Sequence, residues 1–132
     1  MDSLYLIALI MEEDQWHNAC RQTMQNLGKN IRFVTTYEVL TEFLASVSRA
    51  RPETRLRAVA TVRDIIAAPN ITLIEQSHDL FTRGLELYAG RPDKRYSLTD
   101  CISMTVMRDQ NITEALTHDR DFENEGFVRL IR

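Results

Sequence analysis

The sequence predicts an α/β fold with a mainly parallel sheet and right-handed crossovers. Two observations lead there. Short aliphatic and β-branched runs alternate with segments of helical period along the whole chain, and no internal repeat, linker or low-complexity segment interrupts the alternation. At 132 residues, 44% hydrophobic and 27% charged, the chain has the size and composition of a single globular domain, residues 1-132.

The elements follow in order. After the apolar run "LYLIALIM", the segment "DQWHNACRQTMQNL" sets Trp16, Cys20, Met24 and Leu27 on one stripe, with Gly28 as a C-terminal stop. "IRFVTT" reads as a short strand that breaks at the threonines. "YEVLTEFLASVSRA" is helical, with Val39, Leu40, Phe43, Leu44 and Val47 inward. Beyond Pro52, "ETRLRAVATVRDIIAA" is a helix through Leu56, Val59, Ala60, Val62 and Ile66, closed by Pro69 and Asn70. "ITLIE" is a strand, "HDLFTRGLELYAG" a helix ending at Gly90, and "RPDKRY" a loop. "SLTDCISMTVMRDQ" is a helix starting at Ser97; "EALT" and "FVRLI" are buried strands.

Composition excludes several functions. A net charge of -3 and a pI near 5.6 give no overall basic field, so nucleic-acid contact requires local patches or bound cations. The groups Arg49, Arg51, Arg55, Arg57, Arg63 and Arg91, Lys94, Arg95 read first as solvated faces. Cys20 and Cys101 lie in apolar helical patterns without metal-ligand spacing, which predicts reduced, buried thiols. No apolar run approaches the roughly 20 residues that span a bilayer, and there is no basic leader, so a cytoplasmic protein is expected. His17, His78 and His118 lack zinc spacing, Ser3 and Ser97 lack a G-x-S-x-G context, and four scattered glycines form no phosphate loop.

In an open parallel sheet, ligands bind at the carboxyl ends of the strands, where the crossover helices begin. Of 19 acidic residues, four meet that condition: Asp2, Glu42, Asp100 and Asp119. Gathered at one edge they would repel one another and hold their protons more tightly unless a divalent cation compensated, and an oxygen-only set suits magnesium or manganese. Each has a structural alternative. Ser97-x-x-Asp100 is a capping-box pattern, and Thr35-x-x-Glu38 is another that accounts for Glu38. It does not account for Glu42, one turn on, which could instead snorkel to solvent beside Phe43. Asp119 could cap the turn after its strand.

The stretches "DSLYLIAL", "VTTYEVLTEFL", "YSLTDCISMTVMRDQNI" and "ALTHDRDF" together resemble the PIN-domain family, and most closely its VapC-type toxin nucleases. The resemblance covers nearly the whole chain. It implies a three-layer α/β/α sandwich around a mainly parallel sheet, and magnesium- or manganese-dependent cleavage of RNA that leaves a 5′ phosphate and a 3′ hydroxyl. It also implies frequent homodimers and a small antitoxin that covers the site. The family's acidic set falls on Asp2, Glu42, Asp100 and Asp119. Ser3 and Thr117 match supporting hydroxyl residues, Ser97 opens the helix that carries Asp100, and Asp121 lies outside the ligand set.

One departure concerns the start. In the family a buried strand precedes the first aspartate, whereas here only Met1 does. Either a central slot stays open or is borrowed from another chain, or "SLYLIA" takes the strand position and draws Asp2 from the edge. An upstream start is expected, and the mass of the native protein would test it. The function expected is a metal-dependent endoribonuclease, the toxin of a toxin-antitoxin pair. The alternatives are a catalytically impaired PIN-like RNA- or protein-binding module and a PIN nuclease of RNA maturation.

Overall fold

A computed structural model describes residues 1-132. Asp2 caps helix α1 (Ser3–Ile10) by accepting from the Ser3 amide at 2.8 Å. This helix is apolar on nearly every side, and Tyr5, Leu6, Ala8 and Ile10 are all buried, as an all-round hydrophobic helix must be. "SLYLIA" therefore does not occupy a strand position. Helix α2 (His17–Leu27) follows, ending at Gly28 with φ of 82°, a conformation glycine adopts without cost.

Strand β1 (Phe33–Thr36) runs straight into α3 (Tyr37–Ser46), and α4 (Pro52–Ala67) returns the chain to β2 (Ile71–Ile74). β1 and β2 pair in parallel, Phe33 opposite Ile71 and Thr36 opposite Ile74. Helices α5 (His78–Ala89) and α6 (Leu98–Asp109) then pack closely as a pair. Strand β3 (Glu114–Ala115), helix α7 (Asp121–Asn124) and β4 (Val128–Arg129) complete the chain, with β3 and β4 parallel. All strand pairing is thus parallel, in two separate pairs.

Three sequence expectations need correction. The "EALT" and "FVRLI" strands shrink to two residues each, although Leu116 and Thr117 beyond β3 are buried. The inward face of α4 is Ala58, Val62 and Ile65, while Leu56 and Ile66 are 68% and 56% exposed. Ala58 and Ile65 pack into the core in that rotation, and the Arg57 guanidinium donates to the Ile10 carbonyl at 2.8 Å. Thr36 caps α3 in place of Thr35, accepting from the Val39 amide at 3.1 Å, and Thr35 donates instead to the Met1 carbonyl at 3.0 Å.

Between the two strand pairs lies a cavity of about 260 Å³ lined by Phe33, Val34, Ile112, Leu116 and Leu130 among others. Met1 also lines it. The Met1 amino group donates to the Val34 carbonyl at 2.8 Å and the Asp2 amide to the Leu116 carbonyl at 3.3 Å, so these two residues bridge the pairs. With "SLYLIA" helical, Asp2 stands at the helix start between the two strand pairs and is not drawn away into a strand.

The core has two parts. The larger joins α1, α3 and α4 through Tyr5, Leu6, Val39, Phe43 and Ile65; the smaller joins α6 to the C-terminal segment through Cys101, Met104, Ala115, Phe122 and Phe127. Both cysteines are buried free thiols, as expected. Glu125, its side chain only 4% exposed, was not recognised in the sequence. It accepts from Arg91, Arg108 and Tyr96, and although burial alone would raise its pKa, those donors hold it below the usual carboxylate value.

Candidate metal centre

Three helix starts converge. Asp2 caps α1, Asp100 occupies the first turn of α6, and Glu42 lies in the second turn of α3. One carboxylate oxygen from each comes within 4.8 Å of the others. Asp2 is 4% exposed, and the other two are half-buried.

Hydroxyl groups set the orientation of these carboxylates. The Ser3 hydroxyl donates to Glu42 Oε2 at 2.9 Å, and the fully buried Thr117 hydroxyl donates to Asp2 Oδ2 at 2.8 Å. At α6 the capping box is complete: Ser97 Oγ accepts from the Asp100 amide at 3.1 Å, and Asp100 Oδ2 accepts from the Ser97 amide at 3.0 Å. Capping and clustering are therefore compatible in Asp100. The cap engages Oδ2 and leaves Oδ1 free, just as Ser3 leaves Glu42 Oε1 free.

Asp119 stands outside this trio. Its amide donates to Thr117 Oγ1 at 3.0 Å, and its Oδ1 accepts from the Asp121 amide at 2.9 Å, which starts α7. Both readings of Asp119 thus have a basis: it holds a local turn, and it lies near enough to make Asp2 harder to ionise. The Thr117 hydroxyl links the two aspartates. Asp121, which has no place in the trio, is raised by burial and by Asp119, with Lys94 and Arg95 opposing, so part of the second basic group borders this rim. Trp16 stacks on His118 at 4.8 Å between ring centroids, packing the start of α2 over the same turn; sequence spacing gave no hint of that pair.

The electrostatics follow from the packing. Burial, then the neighbouring Asp2 and Glu42 charges, push the Asp100 acid up to about 7. Asp2 and Glu42 are raised as well, chiefly by burial, although their hydroxyl donors act in the opposite direction. Three carboxylates gathered this closely and partly buried are unfavourable without compensating positive charge. The donor set consists of hard oxygens with lone pairs to spare, which fits a magnesium- or manganese-class cation and not a soft metal.

The family model for the PIN domain matches residues 1–127. No curated protein matches the chain significantly. Among solved structures, the chain is similar to VapC20 of Mycobacterium tuberculosis, described as a sarcin-ricin loop cleaving toxin, with a TM-score of 0.84 and 24% identity over 96% of this chain and 94% of that one. That likeness concerns the fold. With the family match spanning nearly every residue and the acidic trio at the expected edge, the chain belongs to the PIN-domain family.

Proposed function

We propose that the chain is a divalent-metal-dependent endoribonuclease, the toxin of a type II toxin-antitoxin pair. The observation that carries this reading is the convergence of Asp2, Glu42 and Asp100, three oxygen donors held in place by neighbouring hydroxyls within a PIN domain. These residues would hold magnesium or manganese, with Asp119 contributing from the adjoining turn. Such a cation supplies charge stabilisation at a scissile phosphate and lowers the pKa of a water.

The chain's own groups do the positioning. Ser3, Ser97 and Thr117 fix the carboxylates, and Glu42, with Oε1 unengaged, is suited to orient the attacking water. Hydrolysis leaves a 5′ phosphate and a 3′ hydroxyl. Lys94 and Arg95 at the rim suit an RNA backbone despite the acidic net charge. The target described for the similar toxin makes a structured RNA loop the first substrate to try. Exposed Leu56 and Ile66 on α4 and Leu85 and Tyr88 on α5 offer apolar area to a second copy or an antitoxin in the cytoplasm.

The experiment is an RNase assay on purified protein with manganese, with chelator, and with Asp100→Asn. Cleavage only by the parent with manganese is expected; equal cleavage by the variant would defeat the assignment. Asp2's membership of the trio supports this reading over an impaired binding module, and manganese calorimetry separates the two. Expression in growing cells separates a toxin from an RNA-maturation nuclease.

A further inference from the structure

Beside the acidic trio is a second cleft, of about 510 Å³, lined by Glu38, Gln76, Ser77, His78, Phe81, Leu98, Thr99 and Ile102. Its volume is in the range of small-ligand sites. Two of its residues are fixed to the trio by sequence: Glu38 lies one helical turn before Glu42 on α3, and Thr99 immediately precedes Asp100 on α6. A nucleotide whose phosphate met the trio would have this cleft next to it.

Glu38 gives the cleft its character. Because Thr36 caps α3, Glu38 takes no part in a capping box, and its Oε2 is buried without any hydrogen-bond partner. Buried acceptors are satisfied in the great majority of cases, so an unpartnered carboxylate oxygen on a residue that lines a cleft is an acceptor that a rotation of the side chain brings to a donor from outside. Phe81, 51% exposed, supplies an aromatic face, and the side chains of Gln76, His78 and Thr99 remain free to hydrogen-bond. Ser77 Oγ is already engaged, accepting from the Leu80 amide at 3.0 Å.

An aromatic face beside a carboxylate is the chemistry that reads an unstacked nucleobase. Among the bases, guanine alone presents two adjacent N–H donors, N1–H and the 2-amino group, which match the two oxygens of one carboxylate. Adenine and cytosine offer one amino group beside an acceptor, and uracil one imino proton between two carbonyls. We propose that this cleft is a guanine subsite flanking the metal centre, with Glu38 as its specificity-determining residue and Phe81 as its stacking surface. The proposal rests on the ribonuclease reading for its purpose, while base binding itself needs neither metal nor catalysis.

The test has two arms. In chelator, guanosine, inosine and adenosine are titrated into the protein and followed by NMR at His78 and Phe81. Guanosine should shift both, inosine, which lacks the 2-amino group, should bind roughly tenfold more weakly, and Glu38→Gln should remove the difference. Equal titration by guanosine and inosine, or shifts confined to other residues, would overturn the proposal. In the second arm, manganese-dependent cleavage is compared on oligoribonucleotides that carry guanine or inosine at single positions. The parent should prefer guanine at one position roughly tenfold, and Glu38→Gln should lose that preference. Cleavage with no base preference at any position would sink the subsite alone. Discrimination in the first arm with no cleavage by the parent would leave the subsite standing and remove the ribonuclease reading.

Discussion

Replacing Asp100 with asparagine should stabilise the metal-free protein at the same time as it ends catalysis. In the folded chain the Asp100 acid is moved from 3.8 up to about 7 by burial and by its acidic neighbours. At 1.36 kcal/mol per pH unit, ionising it in the fold costs about 4 kcal/mol more than ionising it in the unfolded chain. The sign follows from proton binding. Between pH 4 and 7 the folded state keeps a proton the unfolded state has released, so stability falls as pH rises through that window and stays low above it. Asparagine removes the cost, and its carbonyl oxygen can still accept from the Ser97 amide, so the cap survives. The loss of a negative charge at a helix start offsets about 1 kcal/mol. The net gain at pH 8 is about 3 kcal/mol, or on the order of 10 °C in Tm for a domain of this size. Thermal unfolding in chelator at pH 8 and at pH 4, parent against variant, measures it. The gain should be present at pH 8 and nearly absent at pH 4. An unchanged or lower Tm for the variant at pH 8 would refute the electrostatic account of the trio.

Other perturbations have equally definite outcomes. Gly84→Ala would gain about 1 kcal/mol of helix propensity, but the new Cβ would lie 2.6 Å from Ile102 Cγ1, a side chain 2% exposed between α5 and α6, and overpacking of that kind costs roughly 1 to 3 kcal/mol. A lower denaturation midpoint is expected; a higher one would show that the helix pair yields freely. Tyr5 is 1% exposed and its hydroxyl has no partner, so Tyr5→Phe should raise stability by about 1 kcal/mol in urea unfolding, and a loss would reveal a partner for that hydroxyl. Glu125→Ala removes the acceptor shared by Arg91, Arg108 and Tyr96 and should cost roughly 2 kcal/mol at pH 7, less as pH falls through the lowered carboxyl value. Four aliphatic β-branched residues added before Met1 should enter the cavity between the strand pairs and raise Tm, because isolated two-strand pairs are marginal; an unaltered Tm would mean the cavity does not accept a strand.

Much of this was legible in the sequence because local rules and global packing agree there. The helix start at Ser97, the stop at Gly28 and the strand "ITLI" obey capping and periodicity and stand as expected. Asp2, Glu42 and Asp100 were selected by one physical condition, position at the carboxyl edge, and the fold brings those three together. The failures have local causes. The periodicity of α4 alone presents Leu56 and Ile66 inward, but packing against α1 and α3, distant in sequence, buries Ala58 and Ile65 instead. The Thr35-x-x-Glu38 pattern lies one residue from the true cap at Thr36, and that shift leaves Glu38 outside the cap with Oε2 unpartnered. Asp119 meets the edge condition from the turn after β3, where Thr117 Oγ1 joins it to Asp2, a link that spacing alone does not encode. The Glu125 hub and the Trp16–His118 stack depend on contacts no spacing rule encodes.

In the proposed mechanism Asp2, Glu42 and Asp100 jointly hold the cation at which RNA is cut. Its most direct test is the manganese dependence of RNA cleavage by the parent protein and by Glu42→Gln, which removes one ligand charge while keeping the chain length. The account predicts saturable, chelator-sensitive cleavage by the parent and a manganese midpoint at least roughly tenfold higher, or no cleavage, in the variant. Cleavage that persists in chelator, or identical manganese curves for the two proteins, would contradict it.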